Sequence, residues 1–154
     1  MPSPRTLGAL AGWETFDEFF SGTMVYKTTF DFAPGTSGIG GAKTVLSLGD
    51  VREIARVRLN GRDLGVRFMP PYEFDIPAGL IGERGNALEV EVTNLGANRL
   101  RWNDINGVNW KYFGDINIVG TDYKEFDASK WAVLKSGLLG PIEIGTRSCS
   151  PSGN

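Results

Sequence analysis

The sequence predicts an antiparallel β-sandwich, and three observations support that fold class. Hydrophobic and polar residues alternate along several short segments, which is typical of strands that place one face on a core. Asn60 and Gly61 separate two such segments, and both residue types accept the positive φ angles of a type I′ hairpin turn. Glycine makes up 21 of 154 residues, about twice its usual share of ~7%, which indicates many tight turns. A sandwich of this size with long crossing loops is most often a jelly roll.

The same alternation places seven or eight short strands and no long helix. In 54–59, for example, Ala55, Val57 and Leu59 share the inward face. One or two helical turns are expected over 13–20, and residues 95–135 are expected to be irregular. The predicted strands cover 26–32, 43–48, 54–59, 62–68, 72–76, 87–93 and 138–144.

Length and local composition predict one domain with loose ends. Residues 1–12 are expected to be a flexible lead-in, 13–145 the single β-sandwich domain, and 146–154 a disordered tail. The lead-in lacks a basic stretch followed by a long apolar run, so no signal peptide is predicted, and no segment is apolar enough for a membrane span.

Two gaps in the composition exclude whole classes of chemistry. The chain contains no histidine, which rules out Ser-His-Asp and Cys-His catalysis and His-based zinc sites. The single cysteine, Cys149, excludes an internal disulfide and a multi-cysteine metal site. A net charge of −2 gives no reason to expect a nucleic-acid partner.

An ordered series of segments resembles a known family. Val57-Arg-Leu-Asn-Gly-Arg-Asp-Leu-Gly65 and Pro70-Pro-Tyr-Glu-Phe-Asp-Ile76 resemble the sugar-binding β-sandwich domain of family-two glycoside hydrolases. The match is closer to the related domain near the C-terminus of large bacterial α-L-rhamnosidase-like enzymes. The resemblance covers about residues 20–145 and continues through 46–55, 86–94, 98–100, 108–113, 115–117, 126–131 and 136–141.

This resemblance implies a galactose-binding-like jelly roll that serves as an accessory domain of a polysaccharide-degrading enzyme. In that family the catalytic carboxylates lie in a separate barrel domain, for which this chain has no room. The resemblance therefore implies a non-catalytic chain whose partners are a carbohydrate and a catalytic barrel of the same parent protein. It also implies a secreted or periplasmic location, as part of a longer bacterial protein.

Aromatic and amide side chains concentrate between residues 102 and 131, which hold seven of the 17 aromatics. Sugars stack their apolar faces on aromatic rings and exchange hydrogen bonds with Asp, Asn, Arg and Glu. The alternative is that a long loop uses the same residue types to anchor itself. Trp102 and Trp110 are predicted to contact ligand, whereas Phe113, Phe126 and Trp131 are expected to be anchors.

The run Arg101-Trp102-Asn103-Asp104 fits the family's loop that reaches toward the catalytic pocket. The resemblance implies that Asn103 and Asp104 hydrogen-bond sugar hydroxyls beside Trp102. The alternative is that Arg99 and Asp104 form a salt bridge that braces the loop. The predicted ligand-binding residues are Arg99, Trp102, Asn103, Asp104, Trp110 and Tyr112.

Other charged residues leave further alternatives. Five of the ten arginines lie between Arg52 and Arg67, either as a strip for an acidic polysaccharide or as an outer sheet face paired with nearby acids. No cofactor is expected, and Asp115, Asp122 and Asp127 have no known calcium-loop spacing, although such folds often hold structural Ca²⁺.

Three functions remain open from the sequence: a sugar-binding accessory domain, a structural or interaction domain of the same fold, and an autonomous hydrolase. The hydrolase is the weakest of these hypotheses, because it needs two carboxyl groups facing each other across the sugar. Glu89 and Glu91 lie on the predicted solvated face of a strand.

Overall fold

Antiparallel strands make up most of the regular secondary structure in this computed structural model, which describes residues 9–32, 43–111 and 124–147. The described residues contain nine strands, one α-helix and a 3₁₀ turn at Trp13–Thr15. The helix, α1, spans Ala97–Ile105. The strands are β1 Thr23–Phe30, β2 Lys43–Ser47, β3 Asp50–Arg52, β4 Ile54–Leu59, β5 Arg62–Arg67, β6 Glu73–Ile76, β7 Asn86–Thr93, β8 Gly137–Gly140 and β9 Glu143–Arg147.

The strands form three sheets around one core. The four-stranded sheet has the order β1-β7-β4-β5, the three-stranded sheet β6-β2-β9, and the two-stranded sheet β3-β8. All pairings between these strands are antiparallel. The prediction of an all-β antiparallel sandwich is confirmed, and its jelly-roll type stays a prediction.

The core contains the inward residues of both larger sheets. In β4 and β7 every second residue is buried, because successive side chains of a strand point to opposite faces. Trp13 is completely buried, and its indole N–H donates a hydrogen bond to the Tyr26 hydroxyl. Burying each such large side chain stabilises the fold by about 1.5–3 kcal/mol. The core also contains Leu46, Leu48, Val57, Leu59, Phe74, Val90, Val92 and Leu138.

The hairpin predicted at Asn60-Gly61 is confirmed. Both residues have positive φ angles, 49° and 79°, as a type I′ turn requires. The Asn60 side chain also donates to the Leu80 carbonyl at 2.7 Å and to Asn86 Oδ1 at 3.0 Å. The turn is therefore joined to the start of β7 by side-chain hydrogen bonds.

The arginine-rich outer face carries ion pairs. Arg56 pairs with Asp63 at 2.5 Å, and Arg58 and Lys27 both pair with Glu89, at 2.5 and 2.8 Å. These side chains are partly exposed, so each pair contributes only about 0–1 kcal/mol. Pairing with nearby acids is therefore the arrangement of Arg52, Arg56 and Arg58, whereas the Arg67 guanidinium donates to the Glu73 carbonyl and lies 5.1 Å from the centre of the Phe74 ring.

Three elements differ from the sequence prediction. The helix α1 lies inside the stretch that was expected to be irregular, and β3 was not predicted. The last predicted strand divides into β8 and β9 around Pro141, and β9 continues to Arg147, past the predicted start of the tail. Among the described residues, no helix has the length and apolar character needed to cross a bilayer.

Candidate functional site

Helix α1 is hydrogen-bonded to the segment 128–134 through a row of three side chains. Residues 98, 101 and 104 are spaced three apart, so they lie along one side of the helix. The segment 128–134 has no strand pairing and runs antiparallel to this row. We call Asn98, Arg101 and Asp104 the bracing stripe. Its hydrogen bonds reach the backbone of Leu134 at 2.8 and 2.9 Å, of Trp131 at 2.8 Å and of Ala128 at 2.7 Å.

Asp104 is the most heavily bonded member of the stripe. Its side chain is 7% exposed and lies 3.2 Å from Lys111 Nζ. It accepts hydrogen bonds from the Trp110 indole N–H and the Ala128 backbone N–H, both at 2.7 Å. Burial opposes ionisation, but the hydrogen bonds from Ala128, Trp110 and Lys111 outweigh it and lower the pKa of Asp104. The carboxylate is therefore charged at neutral pH and fully engaged within the protein.

Lys111 also links the turn after α1 to the segment that begins near Phe126. Its ammonium donates to the Phe126 carbonyl at 2.5 Å and lies 3.7 Å from Glu125. It also lies 5.4 Å from the centre of the Trp110 ring and 5.9 Å from that of Phe126, within the range of a cation–π contact. Lys111 thus joins Asp104, two aromatic rings and the backbone of the following segment.

Three aromatic rings form an edge-to-face series beside this brace. The Trp110 and Phe126 ring centres are 5.8 Å apart at 86°, and those of Phe126 and Trp131 are 5.3 Å apart at 88°. This is a preferred geometry for aromatic pairs. Phe126 lies between the two indoles as an anchor, while Trp131 keeps 42% of its surface exposed.

Another part of the helix surface carries the remaining predicted ligand residues. The Arg99 guanidinium lies 5.3 Å from the centre of the Trp102 ring, and Phe19 contacts the same ring at 6.2 Å. Arg99 is exposed, whereas Trp102 and Asn103 are half-buried. The Asn103 backbone carbonyl accepts a hydrogen bond from Val108 at 2.9 Å, which closes the turn after the helix.

The structure brings some predicted site residues together and separates others. Arg99 contacts Trp102, and Asp104 contacts Trp110. The cation that braces Asp104 is Lys111 rather than Arg99, because the turn after α1 folds residues 110 and 111 back onto the helix. Tyr112 lies outside the described residues.

Two structural residues of the site were missed by sequence reasoning. Asn98 and Lys111 were not singled out, although Asn98, Arg101 and Asp104 follow a regular spacing of three that a predicted helix would have revealed. Within the described ranges, no three acidic or cysteine side chains lie close enough together to hold a metal ion. Asp115 and Asp122 fall outside those ranges.

Comparison with known proteins connects this chain to glycoside hydrolases. A Formosa agariphila protein that carries the provisional name beta-glucuronidase is 31% identical in an alignment that covers 82% of this chain and 12% of that protein. The structure of a rhamnosidase from Novosphingobium sp. PP1Y superimposes with a TM-score of 0.61 and 28% identity, over 84% of this chain and 12% of the rhamnosidase. No family model matches the sequence.

A beta-glucuronidase from Ruminococcus gnavus shares the fold, with a TM-score of 0.50 and 19% identity over 61% of this chain. The chain thus spans about an eighth of the Formosa agariphila protein and of the rhamnosidase, 12% in each case. The resemblance to a β-sandwich part of such glycoside hydrolases is confirmed. This chain is therefore similar to a domain-sized part of those proteins and not to their full length.

Proposed function

We propose that this chain is a non-catalytic accessory domain of a glycoside hydrolase, and that it contacts a saccharide with the surface around α1. The match to only 12% of a rhamnosidase supports a division of labour, in which hydrolysis belongs to another part of such a protein. Because polysaccharides are found outside the cytoplasm, we expect the parent enzyme to be secreted or periplasmic.

The observation that carries the proposal is that two partly exposed tryptophans belong to one braced helix and the turn after it. Trp102 lies in α1 and Trp110 follows the helix, and each residue is half-buried. A saccharide offers apolar C–H faces to such rings and hydroxyls to nearby amides and guanidinium groups. Arg99 and Asn103 lie beside Trp102 on the helix and supply those polar groups.

Within this proposal, Asp104 acts on the saccharide through Trp110. Its carboxylate is engaged by the Trp110 indole, Lys111 and the Ala128 N–H, so its role is to position Trp110 rather than to bind hydroxyls. An aromatic ring that is already fixed loses little conformational entropy when a ligand stacks on it. Tyr112 follows this cluster in sequence and stays a predicted ligand residue.

Affinity electrophoresis in gels that contain rhamnose- or galactose-bearing polymers tests the proposal. We expect the wild type to be retarded, and the variants Trp102→Ala and Trp110→Ala to run faster in the same gel. Phe68→Ala is the matched control, because Phe68 is an aromatic residue of 67% exposure just after β5, outside both α1 and the series of rings at Trp110, Phe126 and Trp131. Far-UV circular dichroism establishes that each variant is folded. A wild type that no glycan polymer retards would overturn the proposal.

A second function is favoured by one specific observation, the exposed apolar edge of the four-stranded sheet. Phe68 and Met69 are 67% and 58% exposed, and the neighbouring Val66 and Ile54 are 47% and 41% exposed. Surface of this kind often marks a contact with another protein surface. In this alternative the domain packs against another domain or subunit without binding sugar. Absence of retardation on every polymer, together with a defined oligomer by light scattering, would favour this function.

A further inference from the structure

We propose that the saccharide surface extends from Trp102 to a second ring platform at Trp131, where Arg101 and Glu18 supply the polar contacts. The domain would then take an oligosaccharide rather than a single sugar. This inference rests on the proposed function and adds to it the size and charge class of the ligand.

Trp131 is partly exposed, and contacts with its neighbours hold both its backbone and its ring in place. The residue is 42% exposed, and its ring makes an edge-to-face contact with Phe126 that restrains the ring plane. Its backbone is held on both sides, since its N–H donates to the Ala128 carbonyl at 3.0 Å and its carbonyl accepts from Arg101 Nε at 2.8 Å. A large apolar ring that is exposed and already ordered is well suited to stacking on a pyranose.

Arg101 and Glu18 provide hydrogen-bonding capacity next to this ring. Arg101 Nη1 and Glu18 Oε1 are 3.7 Å apart, which is longer than a hydrogen bond. A guanidinium has five N–H donors, and the contact with the Trp131 carbonyl uses only the Nε donor. Neighbouring hydroxyls of a sugar can therefore accept from Arg101 and donate to Glu18.

The charges at this position favour a neutral sugar. The positive charge of Arg101 is balanced by Glu18, so the pair has no net charge to attract a uronate. The carboxylate of a uronate bound at this position would lose its water shell, and it would also be repelled by the negative charge of Glu18. The sugar unit that fits at the Trp131 platform is therefore a neutral pyranoside with adjacent free hydroxyls.

The two platforms are joined by a continuous series of contacts. Trp131 bonds Arg101, which pairs with Glu18. The next residue in the chain, Phe19, packs on Trp102 at 6.2 Å between ring centres. This continuity is the reason to expect one extended ligand across both rings rather than two independent sites.

The test compares single and multiple sugar units on matched variants. Calorimetric titrations use L-rhamnose, D-galactose, neutral rhamnose- or galactose-containing oligosaccharides, and oligogalacturonate. Loss of one stacked ring is expected to weaken binding about tenfold. We expect Trp131→Ala to weaken binding of the neutral oligosaccharides by that factor, and to weaken binding of the single sugars less, because a single sugar can still occupy Trp102. We expect Trp131→Phe to give a smaller loss, and the isosteric Glu18→Gln a loss of about threefold.

The outcomes separate this inference from the proposed function. If Trp102→Ala weakens oligosaccharide binding while Trp131→Ala and Glu18→Gln bind like the wild type, the extension is wrong and the proposed function stands. Tighter binding of oligogalacturonate than of every neutral oligosaccharide would also overturn the inference. If the wild type binds none of these sugars and no polymer retards it in the gel, the proposed function itself fails. Phe68→Ala again serves as the remote aromatic control, and urea unfolding shows whether Trp131→Ala has kept the fold.

Discussion

Asn98 forms a reciprocal pair of hydrogen bonds with the backbone of Leu134. Its side-chain Nδ2 donates to the Leu134 carbonyl at 2.8 Å, and its Oδ1 accepts from the Leu134 N–H at 2.9 Å. The Asn98 side chain therefore satisfies both backbone hydrogen-bonding groups of Leu134, as a neighbouring strand would do in a sheet. Because Asn98 is 3% exposed, water cannot readily replace either bond.

We expect Asn98→Ala to lower the free energy of unfolding by about 2–3 kcal/mol, since two backbone groups of Leu134 lose their partner. Urea denaturation followed by tryptophan fluorescence measures the change. Asn106→Ala is a suitable control, because Asn106 is exposed and, among the residues that the structure describes, its side chain bonds only the Trp102 carbonyl in the last turn of α1. Equal losses for the two variants would contradict the importance of the Leu134 pair.

We expect Asp104→Ala to lower the free energy of unfolding by about 3 kcal/mol. The substitution leaves the Trp110 indole N–H, the Ala128 N–H and the Lys111 ammonium without their common acceptor. Because Trp110 also loses its fixed orientation, the near-UV circular dichroism of the indoles should weaken. Asp104→Asn keeps an acceptor oxygen and should have a smaller effect. An Asp104→Ala protein with the wild-type near-UV spectrum would show that this carboxylate does not position Trp110.

The lowered pKa of Asp104 predicts an acid dependence of stability. An unfolded aspartate has a pKa of about 3.9, so the folded carboxylate releases its proton more readily than the unfolded one. The resulting stabilisation is complete well above that value and is lost as the pH falls through the folded pKa. Urea denaturation should show the wild type more stable than Asp104→Asn at pH 7, with the difference narrowing below about pH 4. A difference that does not change between pH 7 and pH 3 would contradict this assignment.

We expect Gly137→Ala to destabilise the fold by more than 3 kcal/mol, because the new methyl group overlaps a buried ring. A Cβ at Gly137 would lie 2.5 Å from Nε1 of the completely buried Trp13. Gly65→Ala is a matched control, since Gly65 has nearly the same φ, +100° against +97°, and no described residue beyond its two chain neighbours lies within 4 Å of an added Cβ. The control should lose only about 1–2 kcal/mol, from backbone strain alone. Thermal unfolding of the two variants separates the effect of overlap with Trp13 from that of backbone strain. Similar losses of stability in both variants would show that the Trp13 ring can move aside.

The sequence was most informative where local rules decide the structure. The strand 54–59 was predicted with its bounds, because alternation of apolar and charged residues is a property of the strand itself. The turn at Asn60 was predicted because few residues accept a positive φ. The strand β3 was not predicted, because three residues carry no visible period and its strand character comes from pairing with β8.

The site was harder to predict because its contacts link distant parts of the chain. The helix α1 has a polar sequence and no side-chain hydrogen bond at its N-terminal cap, so the usual start signal is absent. Asp104 has three candidate cations nearby in sequence, and only the fold of the turn after the helix selects Lys111. The aromatic cluster was located correctly as a region, but which rings stay exposed depends on packing across more than 20 residues, as between Trp110 and Trp131.

The bracing stripe has a consequence for how this surface can change over evolution or by engineering. The stripe secures the neighbouring segment with Asn98, Arg101 and Asp104, whereas Arg99 and Trp102 take no part in those backbone bonds. Substitution of Arg99 or Trp102 should therefore cost little folding stability, whereas Arg101 both braces the neighbouring segment and is a proposed ligand contact. If the proposed function holds, positions 99 and 102 are the practical place to begin a specificity library.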